Sequence, residues 1–180
     1  MRIWLPIGLA LAACSDSPSS SSVDAAAPMP DAYTPASCLI KGDFGALGSL
    51  TGVAGTNNGS TTVTVTLDPG PPRDTFFLRM DPGEGVFSAG VAPGTYTISG
   101  VDAGYSTCGL CVHIIADIVA GSGPSKFYFA DSGTVTLTST TPPIMGSAQN
   151  LHFAEVDIGS GQKVPGGCEG SIASVMFSTP

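Results

Sequence analysis

Residues 61–67 read TTVTVTL. The strict alternation puts Val63, Val65 and Leu67 on one face and Thr62, Thr64 and Thr66 on the other, the period-2 pattern of a half-buried β-strand. Asp68-Pro69-Gly70 ends that run, Thr75 to Met80 forms a second one, and Asp81-Pro82-Gly83 turns the chain again. Ala92-Pro93 leads into the run Gly94 to Ser99, and Val112 to Val119 continues the pattern. Further on, Lys126 to Ala130 faces Gly133 to Ser139 across Asp131 and Ser132, a spacing that predicts a β-hairpin. Leu151 and Phe153 share one parity while Val156 and Ile158 share the other, which predicts a β-bulge near Ala154 and Glu155. Ile172 to Phe177 supplies the last strand. No long window carries a 3.6-residue apolar period, so the chain reads as all-β, an antiparallel two-sheet β-sandwich stapled by disulfides, with a closed β-barrel as the alternative.

Composition agrees with that reading. Of 180 residues 24 are Gly and 15 Pro, and only 11% are charged, which excludes a coiled coil or a long helical bundle. A net charge of −8 disfavours nucleic acid as a partner, because such affinity rests on cations that neutralise phosphates. Lys41, Arg73, Arg79, Lys126 and Lys163 are scattered rather than clustered. The 42% hydrophobic share allows a packed core, and residues 38–180 are long enough for one domain but not two.

The N-terminus has a different logic. Met1 and Arg2 form a minimal basic region, and the apolar run Ile3 to Ala10 is too short to cross a bilayer, which takes about 20 residues. Leu11-Ala12-Ala13-Cys14 follows directly. This arrangement resembles the bacterial lipoprotein signal peptide, in which a Cys after small residues is acylated and becomes the first residue of the mature chain. The resemblance implies a signal peptide over 1–13, a lipidated Cys14 and attachment to a membrane by its acyl chains. It also favours the outer membrane, since Ser15 rather than an Asp follows the Cys. Residues 15–37, SDSPSSSSVDAAAPMPDAYTPAS, are too poor in large apolar groups to offset ordering entropy and read as a disordered tether of roughly 25 to 30 Å. Within the body, FSAGVAPGTYTI over residues 87–98 is similar to a turn-and-strand signature of prealbumin-like and carboxypeptidase-regulatory-like sandwich modules, which implies structural roles for Gly90, Pro93, Gly94 and Tyr96. The following GYSTCGLCVHI resembles a segment of uncharacterised bacterial lipoproteins and implies no activity.

Cysteine carries the clearest chemical signal. Beyond Cys14 the chain has Cys38, Cys108, Cys111 and Cys168, and an even number after an export signal points to two disulfides. Three pairings are possible. The favoured one joins Cys38 to Cys168, tying the ends of the domain, and Cys108 to Cys111. Cys108-Gly109-Leu110-Cys111 also has thioredoxin-like spacing, but β-branched residues after it argue for a strand rather than the helix that activates such a thiol. A zinc site from Cys108, Cys111, Cys168 and His113 has suitable ligand types but only one Cys-x-x-Cys pair. The other histidine, His152, reads as partly exposed.

No local hydrolase, metalloprotease or nucleotide motif occurs, so neither catalysis nor a cofactor is expected. Asp81, Glu84, Asp102, Asp117 and Asp131 sit in or near turns and form a weak calcium alternative. A glycan site would have to draw on Tyr96, Tyr105 and Tyr128, because the single Trp, Trp4, lies in the signal segment. The expectation is a non-enzymatic cell-envelope lipoprotein serving as a structural or protein-interaction module, with a glycan- or small-ligand-binding module as the alternative.

Overall fold

The computed structural model describes Cys38 and residues 43–70, 72–124 and 126–180; Cys14, the signal segment and the tether lie outside them. Among the described residues the chain is all-β. The strands are β1 (Ala46–Thr51), β2 (Val53–Asn57), β3 (Ser60–Asp68), β4 (Arg73–Met80), β5 (Gly94–Thr97), β6 (Leu110–Ile118), β7 (Lys126–Ser139), β8 (Met145–Asp157), β9 (Gln162–Lys163) and β10 (Glu169–Ser178). Two short 3₁₀ turns, Gly85–Phe87 and Gly100–Ala103, are the only other regular elements among these residues.

The hydrogen-bond ladder joins the strands into one sheet rather than two, in the order β1-β10-β8-β7-β6-β4-β3-β2, with β5 beside β7 and β9 beside β8. This sheet is curled. Its two terminal strands, β1 and β2, are consecutive in the chain and meet at Gly52, whose amide donates to the Ser178 carbonyl at 2.8 Å. Phe76 of β4 and Phe177 of β10, with three strands between them in the order, bring their rings within 6.0 Å across the interior. The core is therefore the concave side, where Val63, Val65, Phe76, Leu78, Ile114, Tyr128, Phe153 and Ile172 are fully buried. The TTVTVTL run becomes β3, with Val63 and Val65 inside and Thr64 and Thr66 exposed.

Two local expectations are corrected. Asp131 and Ser132 do not turn the chain: Lys126 to Ser139 is one strand. It pairs with β8 along its length, with β6 through its first part and with β5 through its second. Long apolar runs on both sides of Asp131 are satisfied by different neighbours, so no reversal is needed. The bulge expected at Ala154 and Glu155 is also absent: β8 pairs in unbroken register with β7 from Phe153 to Val156 and with β10 from Leu151 to Ala154, and the register with β7 shifts only before Phe153, where Asp131 is an extra residue between Ala130 and Ser132. Parity changes earlier in that strand. Ala148 faces the core before Asn150 (φ 51°), and Leu151 and Phe153 face it afterwards. In β7 the same change falls between Ala130 and Val135, and in β10 between Ile172 and Val175. These three switches lie at one level across neighbouring strands, a band of irregularity that bends the sheet. Gly133 (φ 122°) is required there: a Cβ would meet the Asn150 carbonyl oxygen at 2.8 Å. The alternation of Ala154 and Val156 has a separate cause, because Val156 packs in a second apolar cluster on the convex face.

Candidate functional site

The convex-face cluster contains Cys108, Cys111, Phe129 and Val156, with Tyr105 and Phe127 packed against it. It exists because β6 is covered on both sides. Leu110, Val112 and Ile114 enter the main core, while Cys111 and His113 face outward and are still buried.

Above this cluster lies a pocket of about 360 Å³ between two loops. One wall is the segment after the second 3₁₀ turn, contributing Tyr105, Ser106 and Thr107. Asp102 fixes its base. The carboxylate is 2% exposed and accepts the amides of Gly109 (2.8 Å), Leu110 (3.0 Å) and Val86 (3.1 Å). The Thr107 hydroxyl donates to the Val101 carbonyl at 2.6 Å, and the Cys108 amide to Gly104 at 3.1 Å. The Cys108–Cys111 disulfide then ties the end of this segment to β6.

The opposite wall is the β8–β9 turn, which supplies Gly161, Gln162 and Lys163. Asp157 shapes it by accepting the Ser160 hydroxyl and amide, each at 2.7 Å, and those bonds hold its carboxyl below the usual range. Gly161 approaches the first wall so closely that a Cβ would meet the Tyr105 ring at 3.1 Å. Phe129, Ala154 and Val156 form the floor.

The rim carries mixed charge. Asp131 meets His152 Nδ1 at 2.7 Å and Lys163 Nζ at 3.7 Å. Glu169 meets the same two partners at 3.7 and 3.6 Å. Beneath the floor, His113 touches three rings edge-on: Tyr105 at 5.5 Å, Phe129 at 5.1 Å and Phe77 at 5.7 Å. Burial, reinforced by Arg79 and opposed by Asp81, lowers its pKa to about 3, so the imidazole is neutral. Its Nε2 is buried with no hydrogen-bond partner among the described residues.

The arrangement can hold a small ligand between an aromatic wall and a polar rim. Of the three tyrosines with glycan potential, only Tyr105 lines this pocket. Tyr128 is fully buried in the core, and the Tyr96 hydroxyl donates to the Ala92 carbonyl at 2.6 Å while its ring packs on Phe87. The cysteines pair as Cys38–Cys168 and Cys108–Cys111, so the set Cys108, Cys111, Cys168 and His113 is not brought together. Nor do the five turn acids converge: Asp81 pairs with Arg79, Glu84 is exposed, Asp102 serves backbone amides, Asp131 joins the pocket rim, and Asp117 donates its amide to Asp74. Gln162, Lys163, Glu169 and the supporting Asp157 carried no local motif in the sequence, because they reach the pocket only through strand pairing, β8 with β9 for the first two and β8 with β10 for Glu169.

The chain matches no family model, no curated protein and no solved structure.

Proposed function

We propose that this protein is a cell-envelope lipoprotein, acylated at Cys14 and carried by the outer membrane, whose β domain is a non-catalytic module that binds a glycan or a comparably small polar ligand in the Tyr105 pocket. The opposed walls of the curled sheet act as a sandwich-like scaffold for that pocket. Its shape carries the reading: one aromatic ring, hydroxyls from Ser106 and Thr107, the Gln162 amide and the Asp131–Lys163 pair converge on one concavity. Convergent polar groups around an apolar floor are the usual form of a small-ligand site. Sequence alone ranks a structural or protein-interaction role first, and the pocket moves ligand binding ahead of it.

The test is a chemical-shift titration of the isotope-labelled protein with a panel of neutral and charged oligosaccharides. A binding saccharide should perturb Tyr105, Phe129 and Gln162 first, and Tyr105→Ala should weaken it roughly tenfold or more. Absence of any shift at these residues across the panel would reject the ligand site. The interaction reading has its own support in β5, which pairs only with β7 among the described residues and leaves its other edge open to an added strand.

A further inference from the structure

Asp81 lies just after β4, and one of its carboxylate oxygens, Oδ2, is 3.4 Å from Cys111 Sγ. Ligand atoms of Asp81, Cys108 and Cys111 all fall within 4.8 Å of one another. A tetrahedral zinc ion with a sulfur at about 2.3 Å and an oxygen at about 2.0 Å separates those two ligands by about 3.5 Å, so the Asp81–Cys111 spacing already matches one edge of such a site. Cys-x-x-Cys is itself the usual spacing of a zinc-binding cysteine pair. His113 lies outside that 4.8 Å group, but it is two residues beyond Cys111 on the same face of β6, buried, with an Nε2 that nothing among the described residues satisfies, which makes it the neighbouring donor for a fourth position. Arg79 Nη2, 3.4 Å from Cys111 Sγ, places a cation where a thiolate would form.

We propose that Asp81, Cys108, Cys111 and His113 form a zinc site that the Cys108–Cys111 disulfide keeps closed and that reduction opens. Two electrons from a dithiol break the S–S bond, the dithiol leaving as its own disulfide. Zn²⁺ then replaces the two thiol protons, which pass to solvent, and the carboxylate and imidazole complete four-coordination. This goes beyond ligand binding in the Tyr105 pocket and does not depend on it.

The experiment reduces the protein with a phosphine, which brings no competing thiolate, and titrates Co²⁺ as a spectroscopic stand-in for Zn²⁺. The expected result is one Co²⁺ per chain, with thiolate-to-metal charge-transfer absorption, a tetrahedral visible spectrum and a raised melting temperature. Cys108→Ser or Cys111→Ser should abolish the charge-transfer band, and Asp81→Asn and His113→Ala should each weaken binding roughly tenfold or more. In the wild type, Zn²⁺ should protect Cys108 and Cys111, but not Cys38 and Cys168, from alkylation mapped by mass spectrometry. A reduced protein that gains neither the band nor thermal stability would overturn the proposal. So would protection centred on Cys38 and Cys168, or affinity unchanged in His113→Ala.

Discussion

The two disulfides do opposite work. Cys38–Cys168 closes a separation of 130 residues and brings the start of the described chain to β10, whereas Cys108–Cys111 spans a separation of 3 and constrains one turn of the pocket wall. In the chain-entropy model the long loop contributes about 5 kcal/mol and the short one about 2 kcal/mol. The first also has a polar bolster: Lys126 pairs with Glu155 at 3.2 Å, and Glu155 accepts the Cys168 amide at 2.9 Å. One bridge is global and thermodynamic, the other local and geometric. A covalent link is thus no guide to its own role until the chain it encloses is known.

The sharpest test of that contrast removes each bridge in turn. Cys38→Ala with Cys168→Ala should lower the melting temperature by about 15 °C, and Cys108→Ala with Cys111→Ala by about 5 °C. Hydrogen exchange should separate them further. Loss of the long bridge should raise exchange throughout the sheet, while loss of the short one should raise it chiefly over residues 103–110. Equal shifts in melting temperature would break the comparison.

Asp102 is the non-covalent counterpart of the short bridge, and replacing it measures how much of the pocket wall depends on hydrogen bonds. Asp102→Ala strands three amide donors, those of Gly109 and Leu110 buried and that of Val86 partly so, and should cost about 3 kcal/mol in a denaturant titration, with the Tyr105 segment loosening first. Asp102→Asn keeps the acceptor oxygen and should recover about half of that loss. If both variants cost under about 1 kcal/mol, the disulfide alone holds the wall.

Much of the body was legible and little of the pocket was. The strand at Thr61 to Leu67 and the all-β class follow from alternation, which local sequence records directly. The β2–β3 hairpin also had a readable signal, Asn58-Gly59, whose residues take φ of 50° and 88°. Lys126 to Ser139 misled because the pattern of a hairpin and that of one long strand crossing a bend are the same until the neighbours are known. The same ambiguity moved the bulge: Leu151, Phe153 and Val156 are all buried, but on two faces with two different coverings. Asp102 looked like a turn acid, and nothing in its neighbourhood shows that three amides from two segments converge on it. Tyr105, Gln162 and Lys163 meet across some 60 residues of sequence, a separation at which only pairing, not pattern, decides contact.

His113 extends the comparison to pH. Its folded pKa of about 3 lies below the ordinary value of 6.5, so the unfolded chain binds a proton that the folded protein refuses. The stabilisation is therefore complete above pH 6.5 and is lost as pH falls toward 3. Asp74 slopes the other way, because burial holds its carboxyl above the usual range and its contribution fades as pH rises through that raised value. Denaturation midpoints measured across this window should fall with acid in the wild type and flatten in His113→Gln. An unchanged slope in that variant would place the titrating group elsewhere.

The smallest effect is expected at the other end of the comparison, in the core near the long bridge. Tyr128 is fully buried and its hydroxyl has no hydrogen-bond partner among the described residues. Burial, with Glu155, Asp117 and Asp74 nearby, pushes its pKa up and keeps the phenol protonated. An unpaired buried hydroxyl costs desolvation without return, so Tyr128→Phe should stabilise the protein by about 1 kcal/mol and raise the melting temperature by about 3 °C. The ring remains to pack, which isolates the hydroxyl from the cavity that an alanine would leave. A loss of similar size instead would mean that the hydroxyl is bonded in solution and that the core end beside Cys168 is held by a polar network, which would make the two bridged regions more alike than their loop lengths imply.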